Sequence, residues 1–160
     1  FERALYKAII ASGIQIPDEG AILLTIADKD KQEALEIARG YAELGYPLVA
    51  TEGTAKMFSD AGLKVESVRK VSEGSPHILD LIKSGVIRMV ISTLTTGKLP
   101  EADGFKIRRS TVEHAIPCLT SLDTAKAVLD VLTVTRRRRL IYSMAMQDYA
   151  GNNRPVRELN

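Results

Sequence analysis

Short, continuous apolar runs alternate along the chain with longer stretches whose apolar residues recur at helical spacing. The runs Ala21–Ala27, Tyr46–Thr51, Val65–Val68, Ile87–Thr93 and Ile116–Leu119 have the length and β-branched content of strands. Between them Lys29–Leu44, Glu52–Ala61, Pro76–Ser84 and Lys106–His114 predict helices, and Thr124–Val134 closes the set. The first and fourth runs are largely apolar rather than alternating, as strands are when crossover helices cover both faces of a parallel sheet. Strict alternation of strand and helix predicts an α/β fold with an open, doubly wound, five-stranded parallel sheet. A closed barrel of eight such units needs about 250 residues, and the chain has 160.

Local chemistry marks the boundaries. Asp28 or Asp30 suits the N-cap of the first long helix, and Ser75 before Pro76 reads as an N-cap with proline at the first helical position. Gly45, Gly62 and Gly85 each follow a helical stretch where a left-handed C-terminal residue is wanted. Upstream, residues 1–13 place Leu5, Tyr6, Ile9 and Ile10 at helical spacing and stop at Gly13, with a linker to Gly20. The chain thus divides into a helix and linker over 1–20, a domain over 21–135 and a C-terminal tail over 136–160, of low order after about Gln147, with no internal repeat.

Composition narrows the class. With 45% apolar and 26% charged residues, the chain is composed as one globular domain, and one core can hold it without metal or disulfide staples. The single cysteine, Cys118, fits a reducing compartment. Lys plus Arg number 22 against 20 Asp plus Glu, a net charge of +2, which gives no field of the kind that marks a nucleic-acid binder. No apolar run approaches the roughly 20 residues of a membrane span, and Phe1-Glu2-Arg3 has no feature of a signal peptide, so a cytoplasmic chain is expected. The absence of an initial Met suggests a processed product or a segment of a longer polypeptide.

In an open parallel sheet ligands gather at the carboxyl ends of the strands, where strand order reverses. There the chain offers Thr25 to Lys31, Thr51-Glu52-Gly53-Thr54, Arg69-Lys70 and Ser92-Thr93-Leu94-Thr95-Thr96-Gly97-Lys98. Hydroxyls, glycines and lysines dominate, which suits an anion and most simply a phosphate. Gly53 lets backbone amides approach a ligand, and Thr51 and Thr54 put hydroxyls at a helix start whose dipole favours negative charge. Taken alone, either threonine is equally a helix cap; together with the fourth loop and the lysines at 31 and 70, the set reads as a phosphate site. His77 and His114 with one cysteine cannot form a zinc site of the usual kind. Cys118 lies in an apolar strand and reads as a packed thiol. Arg108-Arg109 cover a helix face or touch an anion, and Arg136–Arg139, without interleaved aromatics, read as a solvated or partner-facing helix end. No nucleophile–base pair, metalloprotease motif, P-loop or dinucleotide fingerprint occurs, so the residues describe a binding module.

The ordered segments TIADKDK (25–31), LVATEGTAKMFSDAG (48–62), VRKVSEGSPHILDLIKSG (68–85), VISTLTTGK (90–98) and DGFKIRRSTVEHAIPCLTSLDTAKAVL (103–129) resemble the methylglyoxal-synthase-like domain at the C-terminus of the carbamoyl phosphate synthase large subunit. The resemblance covers about residues 1–133, and the opening FERALYKAIIASG is similar to the end of the preceding ATP-binding half. It implies a three-layer, Rossmann-type sheet and a regulatory domain without a catalytic step of its own. Such a domain binds a nucleotide effector: UMP as inhibitor, or IMP or phosphoribosyl pyrophosphate as activator. The implied parent is a glutamine-hydrolysing ligase of pyrimidine or arginine biosynthesis, cytoplasmic, using ATP with Mg or Mn. Its implied partners are the rest of the large subunit and the glutaminase small subunit, with no nucleic acid or membrane; the segment itself needs no cofactor.

Residue by residue, the resemblance puts the phosphate on Lys31, Thr51, Gly53, Thr54 and Lys70. It draws Thr25, Ser92, Thr93 and Thr95 into the effector site, with Ser92 where asparagine is common. Asp103 is the implied ribose acceptor, and Ile107 packs near the base. The fourth loop is one residue longer than in some relatives. Two neighbouring families share the fold. Methylglyoxal synthase, acting on dihydroxyacetone phosphate, is the alternative function; its catalytic aspartate after a glycine pair has no counterpart in Ser72-Glu73-Gly74-Ser75-Pro76-His77, where Glu73 precedes the glycine. The inosinate cyclohydrolase domain has a lysine- and threonine-rich loop after the third strand that is not seen. If the segment is a piece of that subunit, Phe1–Gly13 and part of Arg136–Arg139 face absent domains and favour self-association of the isolated segment.

Overall fold

The computed structural model describes residues 15–93 and 103–151, with Ala4 and Ala11 as isolated helical positions; beyond residue 137 the only side chain described is Met144. The helix expected over 1–13, the loop 94–102 and the end of the tail, 152–160, thus lie outside the described residues, apart from those two positions.

The strands are β1 (Ala21–Thr25), β2 (Leu48–Thr51), β3 (Glu66–Val68), β4 (Ile87–Ser92) and β5 (Cys118–Leu119). The helices are α1 (Lys31–Glu43), α2 (Glu52–Asp60), α3 (Ile78–Lys83), α4 (Asp103–Glu113) and α5 (Leu122–Gly151), with 3-10 turns at Asp28–Asp30 and Val71–Glu73. The strands form one sheet in the order β3-β2-β1-β4-β5, parallel throughout. The doubly wound α/β arrangement expected from the alternating pattern is therefore present. Strand order reverses between β1 and β4, which is where such a sheet opens a crevice.

Side chains of successive strand residues enter opposite faces. Ile22, Leu24, Leu48, Ala50, Met89 and Ile91 pack against α1, α2 and α5, while Leu23, Val49, Ile87 and Val90 pack against Ile78 and Ile82 of α3 and Ile107 of α4. Three layers result. The α1–α5 contact is close, because Gly40 offers no Cβ: one built there would lie 2.5 Å from Leu129 Cδ2. Across the same seam the buried Tyr41 hydroxyl donates to the Ala125 carbonyl at 2.7 Å. Burial, the adjacent Tyr46 and the charge of Asp130 all push the Tyr41 hydroxyl far above its ordinary range, so it remains a neutral donor.

Several boundaries differ from the expected ones; β5 begins at Cys118 rather than Ile116, and α4 at Asp103 rather than Lys106. Ile26-Ala27 and Tyr46-Pro47 lie outside the strands. The expected glycine stops do hold, with φ of 87° at Gly45, 82° at Gly62 and 78° at Gly85. Helix α3 begins at Ile78 rather than Pro76, with His77 as N-cap. The reason is Asp80, whose carboxylate accepts from the His77 N–H and the Ser75 hydroxyl, both at 2.9 Å, and so holds both residues outside the helix. Helix α5 does not close at Val134 but runs to Gly151, through residues that include Gln147. Arg, Leu, Met, Ala and Gln are strong helix formers, and no glycine or proline interrupts them before Gly151.

Arg136, expected as part of a solvated or partner-facing run, is half-buried against its own domain. Its guanidinium lies over the Tyr46 ring and donates to the Asp18 carbonyl at 2.8 Å.

Candidate functional site

The register lines up the carboxyl ends of the central strands. Thr51 pairs with Val68, Leu24 with Ala50 and Thr25 with Ser92, so Val68, Thr51, Thr25 and Ser92 form one row across four strands. Beyond that row the chain turns into the starts of α1 and α2. Thr93, one residue past β4, is held over the switch point: its N–H donates to the Thr25 carbonyl at 3.0 Å, and its hydroxyl accepts from the Ala27 N–H at 2.8 Å. Thr93 therefore closes the backbone of the crevice. Thr25 Oγ1 is buried and has no hydrogen-bond partner among the described residues, an arrangement that ordinarily calls for a ligand or water.

At the start of α2, Thr51 occupies the N-cap with extended dihedrals, φ −62° and ψ 150°, yet its side chain makes no cap hydrogen bond. The first-turn amides therefore keep their donor capacity towards the crevice. Gly53 is exposed in that first turn, and a Cβ there would stand 3.4 Å from Lys31 Nζ. Lys31, the first residue of α1, thus carries its ammonium across to α2 with its side chain 17% exposed. Thr54 follows one position on, almost wholly buried.

Of the caps expected at Asp28 or Asp30, Asp30 does take the N-cap position of α1, but its side chain makes no cap hydrogen bond. Asp28 instead pairs with Lys31 at 2.7 Å, its own side chain 94% exposed. Sequence reasoning missed this pair because an aspartate three residues before a lysine at a helix start reads equally well as a cap.

The outer residues are more dispersed. Lys70 is exposed just after β3, its backbone N–H donating to the Glu73 carboxylate at 2.9 Å. Asp103 heads α4, and its carboxylate lies 3.5 Å from the Ser72 hydroxyl, a long contact that joins the loop after β3 to α4. Ser72 has no distinguishing signal in the sequence. Ser92 is buried at the end of β4, and Ile107 packs with Ile82 and Val90 in the core of that face. Thr95 lies outside the described residues.

So the structure brings Thr25, Lys31, Thr51, Gly53, Thr54, Ser92 and Thr93 to one rim, with Lys70 on the loop after β3 and Asp103 at the start of α4. What gathers there is mostly donors, hydroxyls, first-turn amides and an ammonium, with the Asp28 carboxylate paired to that ammonium. Cys118, in β5, is a thiol whose pKa is pushed up by burial, against smaller opposing effects of the Thr111 hydroxyl and Arg108. Among the described residues no cluster of His, Cys, Asp and Glu is placed to hold a metal ion, and no helix is long and apolar enough to cross a membrane.

The MGS-like domain family model matches residues 33–120. Among solved structures, methylglyoxal synthase from Elizabethkingia anophelis NUHP1 is similar over 71% of this chain and 79% of that one, with 22% identity and a TM-score of 0.60. ForH is similar over 74% of this chain and 82% of that one, with 22% identity and a TM-score of 0.51. At such identity the likeness concerns the fold. With more than half of its length matched by the family model and the sheet built in the corresponding way, the chain belongs to the MGS-like domain family.

Proposed function

We propose that the chain is the effector-binding regulatory domain of a carbamoyl phosphate synthase large subunit. The observation that carries the reading is the ammonium of Lys31 drawn across to Gly53 at the start of α2, where Thr51 leaves the first-turn amides uncapped. A phosphate at that point gains N–H and hydroxyl donors, a helix dipole and a fixed cation together. Thr51, Thr54 and Lys31 hold the phosphate, and Lys70 adds charge from the loop after β3. Asp103 accepts from ribose hydroxyls. The ordered motifs over about residues 1–133 supply the parent enzyme, whose other domains carry the ATP- and metal-dependent steps, and the glutaminase subunit as partner. The ligand, UMP or IMP or phosphoribosyl pyrophosphate, changes the rate of that enzyme only through different affinities for two states of the subunit.

Calorimetric titration with those three ligands and with dihydroxyacetone phosphate tests this reading. Saturable nucleotide binding is expected. Thr54→Ala should weaken it by about 1.5–3 kcal/mol, the range for a hydrogen bond to a charged group. Unchanged affinity in that variant would remove Thr54 from the site. Conversion of dihydroxyacetone phosphate to methylglyoxal would replace the regulatory reading with the enzymatic one.

A further inference from the structure

The Lys31 ammonium stands beside the starts of two helices, α1 and α2, whose N-termini are both electropositive. A cation so placed is unfavourable without an anion, and the chain supplies one: the Asp28 carboxylate, 2.7 Å from Nζ. Lys31 is largely withdrawn from solvent, whereas Asp28 is 94% exposed on the 3-10 turn that precedes α1. The cation is therefore fixed and the anion is the part able to leave.

Building on the phosphate site proposed above, we infer that Asp28 is an internal counter-anion that a ligand phosphate must displace from Lys31. The carboxylate occupies the charge position of the phosphate while the site is empty and releases the ammonium to the ligand on binding. Asp28 then acts as a negative determinant of affinity: it sets a threshold concentration of effector without touching base or ribose. Because the Asp28 partner is almost fully solvated, screening keeps the pair weak, and the threshold is modest and readily crossed. An aspartate that only steadied Lys31 would have the opposite effect, since its removal would let the lysine wander and would weaken binding.

The two roles differ in the sign of one measurement. Inorganic phosphate and UMP are titrated calorimetrically into the full chain carrying Asp28→Asn, Asp28→Glu or Lys31→Gln. Asp28→Asn is expected to bind both ligands about two- to fivefold more tightly, the gain expected from releasing one solvent-screened ion pair. Asp28→Glu keeps the charge and should stay near the wild-type affinity, while Lys31→Gln should lose most binding. Equal or weaker binding by Asp28→Asn, with the wild type binding and Lys31→Gln impaired, overturns the counter-anion and leaves the phosphate site standing. Binding of phosphate without UMP overturns the nucleotide reading and leaves the exchange intact. Absence of binding by either ligand overturns both.

Discussion

The guanidinium carbon of Arg136 lies 4.7 Å from the centre of the Tyr46 ring, while its Nη2 donates to the Asp18 carbonyl at 2.8 Å. One side chain of α5 thereby joins the turn before β2 to the segment entering the domain. Tyr46 completes the clamp by donating its hydroxyl to the Pro17 carbonyl at 2.7 Å. Replacing Arg136 with Ala removes a cation–π contact worth about 0.5–2 kcal/mol and a charge-assisted hydrogen bond of similar size. Arg136→Ala is expected to lower stability to denaturant by about 1–3 kcal/mol and to open residues 15–20 to proteolysis first. Protection of that segment equal to wild type would show that the clamp does not hold it.

Gly40→Ala tests the packing of α1 on α5. Alanine gains up to about 1 kcal/mol of helix propensity over glycine. Its Cβ, however, would fall 2.5 Å from Leu129 Cδ2 and 3.3 Å from both Leu129 Cδ1 and Cγ, and overpacking of this kind costs about 1–3 kcal/mol. A net loss of roughly 1–2 kcal/mol is expected. If thermal unfolding shows the variant to be more stable than wild type, Leu129 has room to move. The double variant Gly40→Ala with Leu129→Ala should recover part of the loss.

β1 and β4 were legible because they are buried at nearly every position and so read as apolar runs, whereas β3, with Glu66 and Ser67 exposed, was marked by its place in the alternation. Helices α1 and α2 were legible because each ends at a glycine with positive φ, Gly45 and Gly62. What escaped depended on competition or on tertiary placement. Nothing local says that Asp80 will take the Ser75 hydroxyl and the His77 amide and so delay α3. The role of Arg136 requires Tyr46, remote in sequence, to be delivered beneath it. In the site, Gly53 and the threonines stood out by position, as did Lys31. The Asp28–Lys31 pair did not, since the same spacing serves a cap.

Asp80 gives a pH dependence of definite sign. Its carboxyl is held below the ordinary value of 3.8, first by the hydrogen bond from the His77 backbone and then by that from the Ser75 hydroxyl. A carboxylate with a lowered folded pKa contributes stability that is fully present above its unfolded value and is lost as pH falls through its folded value. Asp80→Asn should therefore be destabilised at neutral pH, and the gap to wild type should shrink as the pH is lowered below the ordinary carboxyl value of 3.8. Melting temperatures measured on both sides of that value check it. A gap that stays constant with pH would mean that the carboxylate charge is not what caps α3.

Gly53→Ala separates function from stability in one residue. Gly53 is exposed in the first turn of α2, and its φ lies outside the left-handed region, so the backbone accepts a Cβ without strain. Alanine there should leave the melting temperature unchanged or slightly raised. The added methyl nevertheless stands 3.4 Å from Lys31 Nζ, between the ammonium and the amides that a phosphate would bridge. A ligand that uses both must then be held farther from one of them, and electrostatic attraction and hydrogen bonding both weaken with that distance. Phosphate and nucleotide affinity should fall about tenfold or more, equivalent to about 1.4 kcal/mol, in a protein at least as stable as wild type. Unaltered affinity would place the anion away from the α2 terminus and leave the position of Lys31 to be explained by its pairing with Asp28 alone.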